Sequence, residues 1–424
     1  MKNFRFATKL MMGAAVAVAA AAPLTSCSDD DDDEEDTPVV TNNGNTGCTP
    51  VAPILNVNLD IDADRTWSKD TVYVLGSRVK VRPGATLTIN PGTIIKGEEG
   101  QGNAAVVLMV MRGAKIMAEG TATEPIIFTS VKDCIEPSDI AAGNFASPNL
   151  PSDLQGQWGG IAILGNGIIS SGNSNGTYDI DNIEGVPTSD SDGIYGGTDS
   201  LDNSGTLRYV SVRHGGTEIA PGDELNGISF GGVGAGTIVE NIEIVGNADD
   251  GVEFYGGSVN VTNLVVWNNG DDAIDTDQDY TGTIDNGFVV GPEGSCFELD
   301  GPEGTIVSGK NHTIKNITVV AVRPDGTSAG DLLNFDSNTN ISMENIHYAT
   351  VNAAQKLGKD NTTSSTATFS NLTLNVSGTV ASYLPTGNDP KVAAAASVGT
   401  TGSATASDFN GWSWTAASGT LNGL

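Results

Sequence analysis

Short runs of alternating apolar and polar residues recur along most of this chain, each cut after a few positions by Gly, Pro, Asn or Asp. One run repeats as apolar-x-Asn: Val239-Glu240-Asn241-Ile242, Val261-Thr262-Asn263-Leu264, Ile284-Asp285-Asn286-Gly287, Ile314-Lys315-Asn316-Ile317, Met343-Glu344-Asn345-Ile346 and Phe369-Ser370-Asn371-Leu372. A second run precedes the first in each repeat: Ile228-Ser229-Phe230, Val252-Glu253-Phe254, Ile274-Asp275-Thr276, Phe297-Glu298-Leu299 and Leu333-Asn334-Phe335. Period-two alternation predicts strands with one face in a core. An Asn at a fixed offset suits a left-handed corner and can hydrogen-bond to its counterpart one coil on, which predicts an asparagine ladder. The spacing of about 22 to 30 residues is that of a solenoid. It leaves no room for the helical crossovers that an ordinary parallel sheet needs.

The sequence therefore predicts an all-β chain, a single-stranded right-handed parallel β-helix (solenoid) with long loop insertions. The N-terminal third has the same texture without the ladder, in Val79-Lys80-Val81, Thr86-Leu87-Thr88-Ile89, Thr93-Ile94-Ile95, Ala105-Val106-Val107-Leu108 and Ile126-Ile127-Phe128. Residues 70 to 385 make roughly a dozen coils, a rod on the order of 60 Å long. Trp67 with Val72 and Val74 is expected to cover the first coil, and Trp412, Trp414, Leu421 and Leu424 the last. Residues 170 to 206, rich in Ser, Asn, Gly and Asp, are expected to project as an insertion.

Composition agrees: 54 glycines and 17% charged residues do not suit helices. The net charge of −32 excludes nucleic acid as a partner and favours a hard cation such as Ca²⁺ or a neutral, hydroxyl-rich ligand.

Lys2, Arg5 and Lys9 precede an apolar run ending in Leu24-Thr25-Ser26-Cys27, the layout of a secretory signal. Loss of that signal takes the charge to near −35. The cysteine after Leu-Thr-Ser resembles a bacterial lipobox, which implies residues 1–26 as signal peptide and Cys27 as the lipidation site. The acidic run Asp29 to Asp36 resembles the export signal of Bacteroidota lipoproteins, which implies a cell-surface place on the outer membrane, with an outer-membrane transporter or surface complex as a possible partner. Residues 27–50 read as a lipidated acidic tether and 51–424 as one β-helix domain including its caps. Of the other cysteines, Cys48 and Cys134 lie in loop-like sequence and are the favoured disulfide pair, which leaves Cys296 over.

Gly84-Ala85-Thr86-Leu87-Thr88-Ile89-Asn90-Pro91-Gly92-Thr93, Gln157-Trp158-Gly159-Gly160-Ile161 and Leu207-Arg208-Tyr209-Val210-Ser211-Val212 resemble segments of right-handed β-helix lipoproteins of Bacteroidota in the pectin-lyase-like superfamily. That resemblance covers nearly the whole chain and implies fold and export rather than an activity.

Stacking the second run puts Ser229, Glu253, Asp275, Glu298 and Asn334 in one column, with Tyr255, Asp277, Asp300 and Asp336 in a parallel one. Glu253, Asp275, Asp277, Glu298, Asp300 and Asp336 are the candidate ligands for Ca²⁺. Asn247-Ala248-Asp249-Asp250-Gly251 and Gly270-Asp271-Asp272-Ala273 resemble the first two motifs of polygalacturonase-type hydrolases, which assigns any catalytic role to Asp250, Asp271 and Asp272. The His-Gly and Arg-x-Lys motifs of that family are missing; Lys310-Asn311-His312 is the nearest basic group. A lyase needs Arg or Lys as base, for which Arg208 and Arg213 are the candidates. His214, His312 and His347 show no ligand spacing for zinc. Asp179, Asp181, Glu184, Asp190, Asp192 and Asp199 of the insertion are expected to wall the acidic column, and Tyr195 and Tyr255 are candidate stacking platforms for a sugar. The functional expectation is a non-catalytic binding or adhesion protein for glycan, with Ca²⁺, and the alternative is a divergent polysaccharide hydrolase or lyase.

Overall fold

The computed structural model describes residues 47–186, 191–220 and 223–424. The signal segment, Cys27, the acidic run and Asp190 lie outside them.

Alternation becomes a core in the simplest way. In Thr86–Ile89, Leu87 and Ile89 are buried while Thr86 and Thr88 are partly exposed; in Arg78–Val81, Val79 and Val81 point in. Successive coils pair in parallel and in register, as in Ile54↔Val72, Val72↔Ile94 and Ile94↔Ile127. Among the described residues this builds a fifteen-stranded sheet, whose longest file runs through twelve strands, and an eight-stranded sheet from Arg78–Val81 to Asn334–Phe335. The chain is an all-β parallel β-helix.

The predicted ladder residues Asn241, Asn263, Asn286, Asn316, Asn345 and Asn371 all adopt positive φ, between 52° and 63°. Each bends one strand into two faces, so the register skips it: Glu240 pairs with Thr262 and Ile242 with Leu264. Asn263 donates to Asn241 at 2.8 Å, Asn286 to Asn263 at 2.6 Å, Asn345 to Asn316 at 2.7 Å and Asn371 to Asn345 at 2.8 Å. Between Asn286 and Asn316 the file breaks, and Asn316 donates to Asp285 instead. Tyr209, at φ 51°, occupies the same corner one coil earlier. Its strand Gly205–Arg213 pairs with Lys115–Glu119 before the corner and with Ile126–Ser130 after it, which joins the two separate files of the N-terminal third.

The end caps differ from expectation. Trp67 is core, stacked on Tyr73 at 4.8 Å. Val72 and Val74 face outward beneath the insertion that carries Ile135, Ile140 and Phe145. Trp412, Trp414, Leu421 and Leu424 do not close the last coil. Residues 403–424 form a strap along the outer face of the fifteen-stranded sheet, from Ser403 on Asn345 through Thr405 on Asn286 to Thr415 on Glu243. The reason is apolar area: Val265, Phe288 and Val290 point outward there and form one buried cluster with Phe409, Trp412 and Leu421. The last coil is covered by the helix Pro390–Ala395, capped by Asp389 and anchored in the core through Val392.

Cys48 is bonded to Cys134 with Cα atoms 5.2 Å apart, and Cys296 stays free and buried. The chain is thus fastened to the β-helix at Cys48, before Val51. The described residues of 170–206 fold down rather than project. Their Ile183, Val186 and Tyr195 pack on Val107, Met109, Ala162 and Leu164, the outer face of the eight-stranded sheet. Gly231 makes this approach possible, since a Cβ there would lie 2.7 Å from the Tyr195 ring.

Candidate functional site

The expected column forms on the eight-stranded sheet. Ser229 pairs with Glu253, Glu253 with Asp275, Asp275 with Glu298 and Glu298 with Asn334. Tyr255 pairs with Asp277 in the neighbouring column. Asp300 and Asp336 continue along it, their N–H groups donating to Thr276 and Leu299 of the preceding coils at 2.8 and 3.3 Å. One carboxylate per coil is a consequence of register alone, and no side chain between them separates the charges.

Burial and mutual repulsion therefore raise the pKa of Glu253, Asp275, Asp277, Glu298 and Asp300. Burial first, then Asp250, pushes the Glu253 carboxyl well above its ordinary range. Burial first, then Glu253 and Asp277, does the same to Asp275. Asp277 rises to about 7 through burial and Glu303, and Asp300 to about 6 through burial and Asp336. Glu298 rises to about 8, mainly through its hydrogen bond with the Asp272 carboxyl and through burial. Asp336 differs from the rest: Lys359 Nζ lies 3.1 Å away and pairs with it.

The turns entering the strands add Asp249, Asp250, Asp271 and Asp272. One oxygen each from Asp249, Asp250 and Asp271 lie within 4.8 Å of one another, and so do oxygens of Asp250, Glu253 and Asp275. Asp250 belongs to both groups. It is also structural, because its Oδ1 accepts the Asp272 N–H at 2.9 Å, as Asp272 Oδ1 accepts that of Ser295 one coil on. Asn226 occupies the same place one coil before Asp250 and donates Nδ2 to Glu253 and to the Tyr255 hydroxyl. Asn226 Oδ1 and Asp275 Oδ1 are buried without a hydrogen-bond partner. This is an all-oxygen donor set around partly uncompensated charge, the chemistry of a hard cation that takes 6 to 8 oxygens in loose geometry.

The insertion supplies part of a wall. Glu184 accepts from the Tyr255 hydroxyl at 3.0 Å and Asp181 from Gln278 Nε2 at 3.1 Å. Asp192 instead pairs with Lys80 and Arg82 at the basic end of the same sheet, and Asp199 accepts the Leu201 N–H within its own turn. Asp179 is buried, its Oδ2 without a hydrogen-bond partner. Tyr195 and Tyr255 are not open platforms: they are 1% and 8% exposed and pack against each other at 5.8 Å, because the insertion lies on top of them.

Arg208 and Arg213 do not approach the acidic face. They lie on the fifteen-stranded sheet, where Arg208 pairs with Glu240 and Glu119, and buried Arg213 sits 3.7 Å from Glu243 beneath Trp414. His312 is in the core beside Tyr280, and its neighbour Lys310 lines a furrow at the edge of the rod. Sequence reasoning missed Asn226, Gln278 and Lys359. Asn226 was readable by extending the second repeat two residues upstream, where Asn226, Asp250 and Asp272 align. Lys359 comes from a loop with no repeat and carried no signal.

A family described as Pectate-lyase like beta helix domain matches residues 59–143 and 145–417. No curated protein and no solved structure matches the chain. With parallel coils in both large sheets of the described residues and a match over most of its length, the chain belongs to the pectate-lyase-like β-helix domain family.

Proposed function

We propose that this chain is a non-catalytic binding module, displayed from the outer membrane by lipidated Cys27, that holds Ca²⁺ on its acidic face and takes glycan as its ligand. The observation that carries the reading is the group Asp250, Glu253 and Asp275. Their oxygens lie within 4.8 Å, no Lys, Arg or His among the described residues pairs with them, and Asp275 Oδ1 has no hydrogen-bond partner. Unit charges ~5 Å apart at an effective dielectric of ~20 repel by roughly 3 kcal/mol, so the group holds protons or a cation. At neutral pH in a Ca²⁺-containing exterior, the cation is the better occupant.

The rival reading, a polysaccharide hydrolase built on Asp250, Asp271 and Asp272, is less well supported. One oxygen of Asp250 and one of Asp271 lie within 4.8 Å, nearer the ~5–5.5 Å of a retaining pair than the ~6.5–9.5 Å that lets an inverting pair seat a water. Asp250 and Asp272 are committed to backbone N–H groups. Among the described residues, the one Lys or Arg that pairs with an acid of the two columns is Lys359, which Asp336 holds.

Calorimetric titration with Ca²⁺ tests the cation, on the wild type and on Asp275→Asn and Asp300→Asn. Saturable binding that Asp275→Asn abolishes and Asp300→Asn weakens supports it. Equal heats and equal thermal stability in all three proteins refute it.

A further inference from the structure

Four of the large apolar side chains that the described surface leaves exposed border one place. Ile168 (41% exposed) and Leu201 (70%) line a furrow of about 300 Å³ at the edge of the rod, where the eight-stranded sheet turns into the fifteen-stranded one. Val307 (56%) adjoins the furrow residue Ser308 in the chain. Ile238 (42%) pairs in register with the furrow residue Asn260. Two exposed apolar side chains in one furrow, with two more beside it, are the kind of grouped apolar surface that marks contact sites.

The polar lining is equally particular. Ser258 Oγ donates to Ser200 O at 2.9 Å and Thr281 Oγ1 to Gly257 O at 3.0 Å, so both hydroxyls face a ligand as acceptors. Ser308 Oγ accepts the Lys310 N–H at 3.1 Å, which leaves its own hydrogen to donate. Asn260 Oδ1 accepts the Thr283 N–H at 3.0 Å, which leaves Nδ2 as a donor. Asp279 is buried and its carboxylate is occupied by Ser308 N and Asn340 Nδ2, while Lys310 makes no ion pair among the described residues. The two charges offset each other, so the furrow is close to neutral.

We infer that this furrow seats one ring of a neutral glycan, its C–H face on Leu201 and Ile168 and its hydroxyls among Ser258, Asn260, Thr281 and Ser308. A sugar ring is apolar on its faces and both donates and accepts at its rim, which is the lining described. A lyotropic anion or cation finds no net charge here. An acyl chain would strip water from four polar groups and replace none of their hydrogen bonds. The inference rests on the glycan-binding reading above and moves the sugar contact from the acidic face to the rod's edge, where Ser200 and Leu201 of the 170–206 insertion are part of the lining.

The test is calorimetric binding of cellotetraose, xylotetraose and mannotetraose, in Ca²⁺-containing buffer, to the full protein and three variants. Ala235→Trp, at an exposed furrow position, fills the space; Leu201→Ser removes the shelf; Asp275→Asn disables the cation site. The expected result is that at least one tetraose binds, Ala235→Trp abolishes binding, and Leu201→Ser weakens Kd about tenfold, which corresponds to 1.4 kcal/mol. Melting temperatures and Ca²⁺ heats of these two variants stay at wild-type values. If Ala235→Trp proves unstable, Leu201→Ser carries the test, since its side chain is mostly in solvent. Wild-type affinity in Leu201→Ser with binding lost only in Asp275→Asn overturns the furrow and leaves the glycan reading standing. No heat with any of the three sugars overturns both, while the Ca²⁺ titration still reports on the cation separately.

Discussion

Raising the pH in the presence of a chelator should destabilise this protein across a range where most proteins are flat. Asp277, Asp300 and Glu298 titrate in the folded chain at about 7, 6 and 8, against ordinary values of 3.8, 3.8 and 4.5. A folded-state pKa above the unfolded one means that the native state binds more protons in between. The stabilisation is therefore complete below about pH 4 and is lost as pH rises through 6 to 8. For Asp277 alone, a shift of about 3 units corresponds to ~4 kcal/mol, which partial exposure and screening reduce to ~2 kcal/mol. The three groups repel one another and do not add fully, so the cluster contributes ~5 kcal/mol and lowers the melting temperature by roughly 5 to 10 °C between pH 5 and pH 8.5. Differential scanning calorimetry in EDTA measures this directly. Asp277→Asn with Glu298→Gln should flatten the slope, and millimolar Ca²⁺ should restore the melting temperature at pH 8.5 without changing it at pH 5. A melting temperature that stays level or climbs from pH 5 to 8.5 in EDTA would refute the electrostatic account of the acidic face.

Other perturbations probe the scaffold. Asn286→Ala forces alanine into a left-handed corner and removes the bonds to Asn263 and Thr405, so it should cost about 2 to 3 kcal/mol; Asn286→Gly, which has no left-handed penalty, should melt higher than the alanine variant. Glu243→Ala leaves Arg213 buried without its counter-charge and frees Thr415, which predicts a loss of about 3 to 5 kcal/mol and new protease cleavage within residues 403–424, read by mass spectrometry. Reduction of Cys48–Cys134, which closes a separation of 86 residues, should remove about 4 kcal/mol, seen as a lower melting temperature in reductant.

The coils were legible because their cause is local. Alternation in segments such as Thr86–Ile89 sets which side chains enter the core, and the repeated Asn sets where each strand bends; both act over a few residues and recur at one period. From these the acidic columns followed, since equal offsets in stacked coils must coincide. Asn226 was missed although it obeys the same rule, because its amide breaks the run of carboxylates. The strap, the packing of the insertion onto the sheet and Lys359 were not legible, and Tyr195 and Tyr255 were misread with them.

The amino-acid order by itself determined the winding, the left-handed corners and the file of one acid per coil, all of which follow from short-range backbone preference repeated in register. Only the tertiary structure decided what covers the rod. Trp414 reaches Arg213 and Tyr195 reaches Gln278 across distances in sequence that carry no periodic signal, and the choice of face rests on which outward positions are apolar enough to be worth burying.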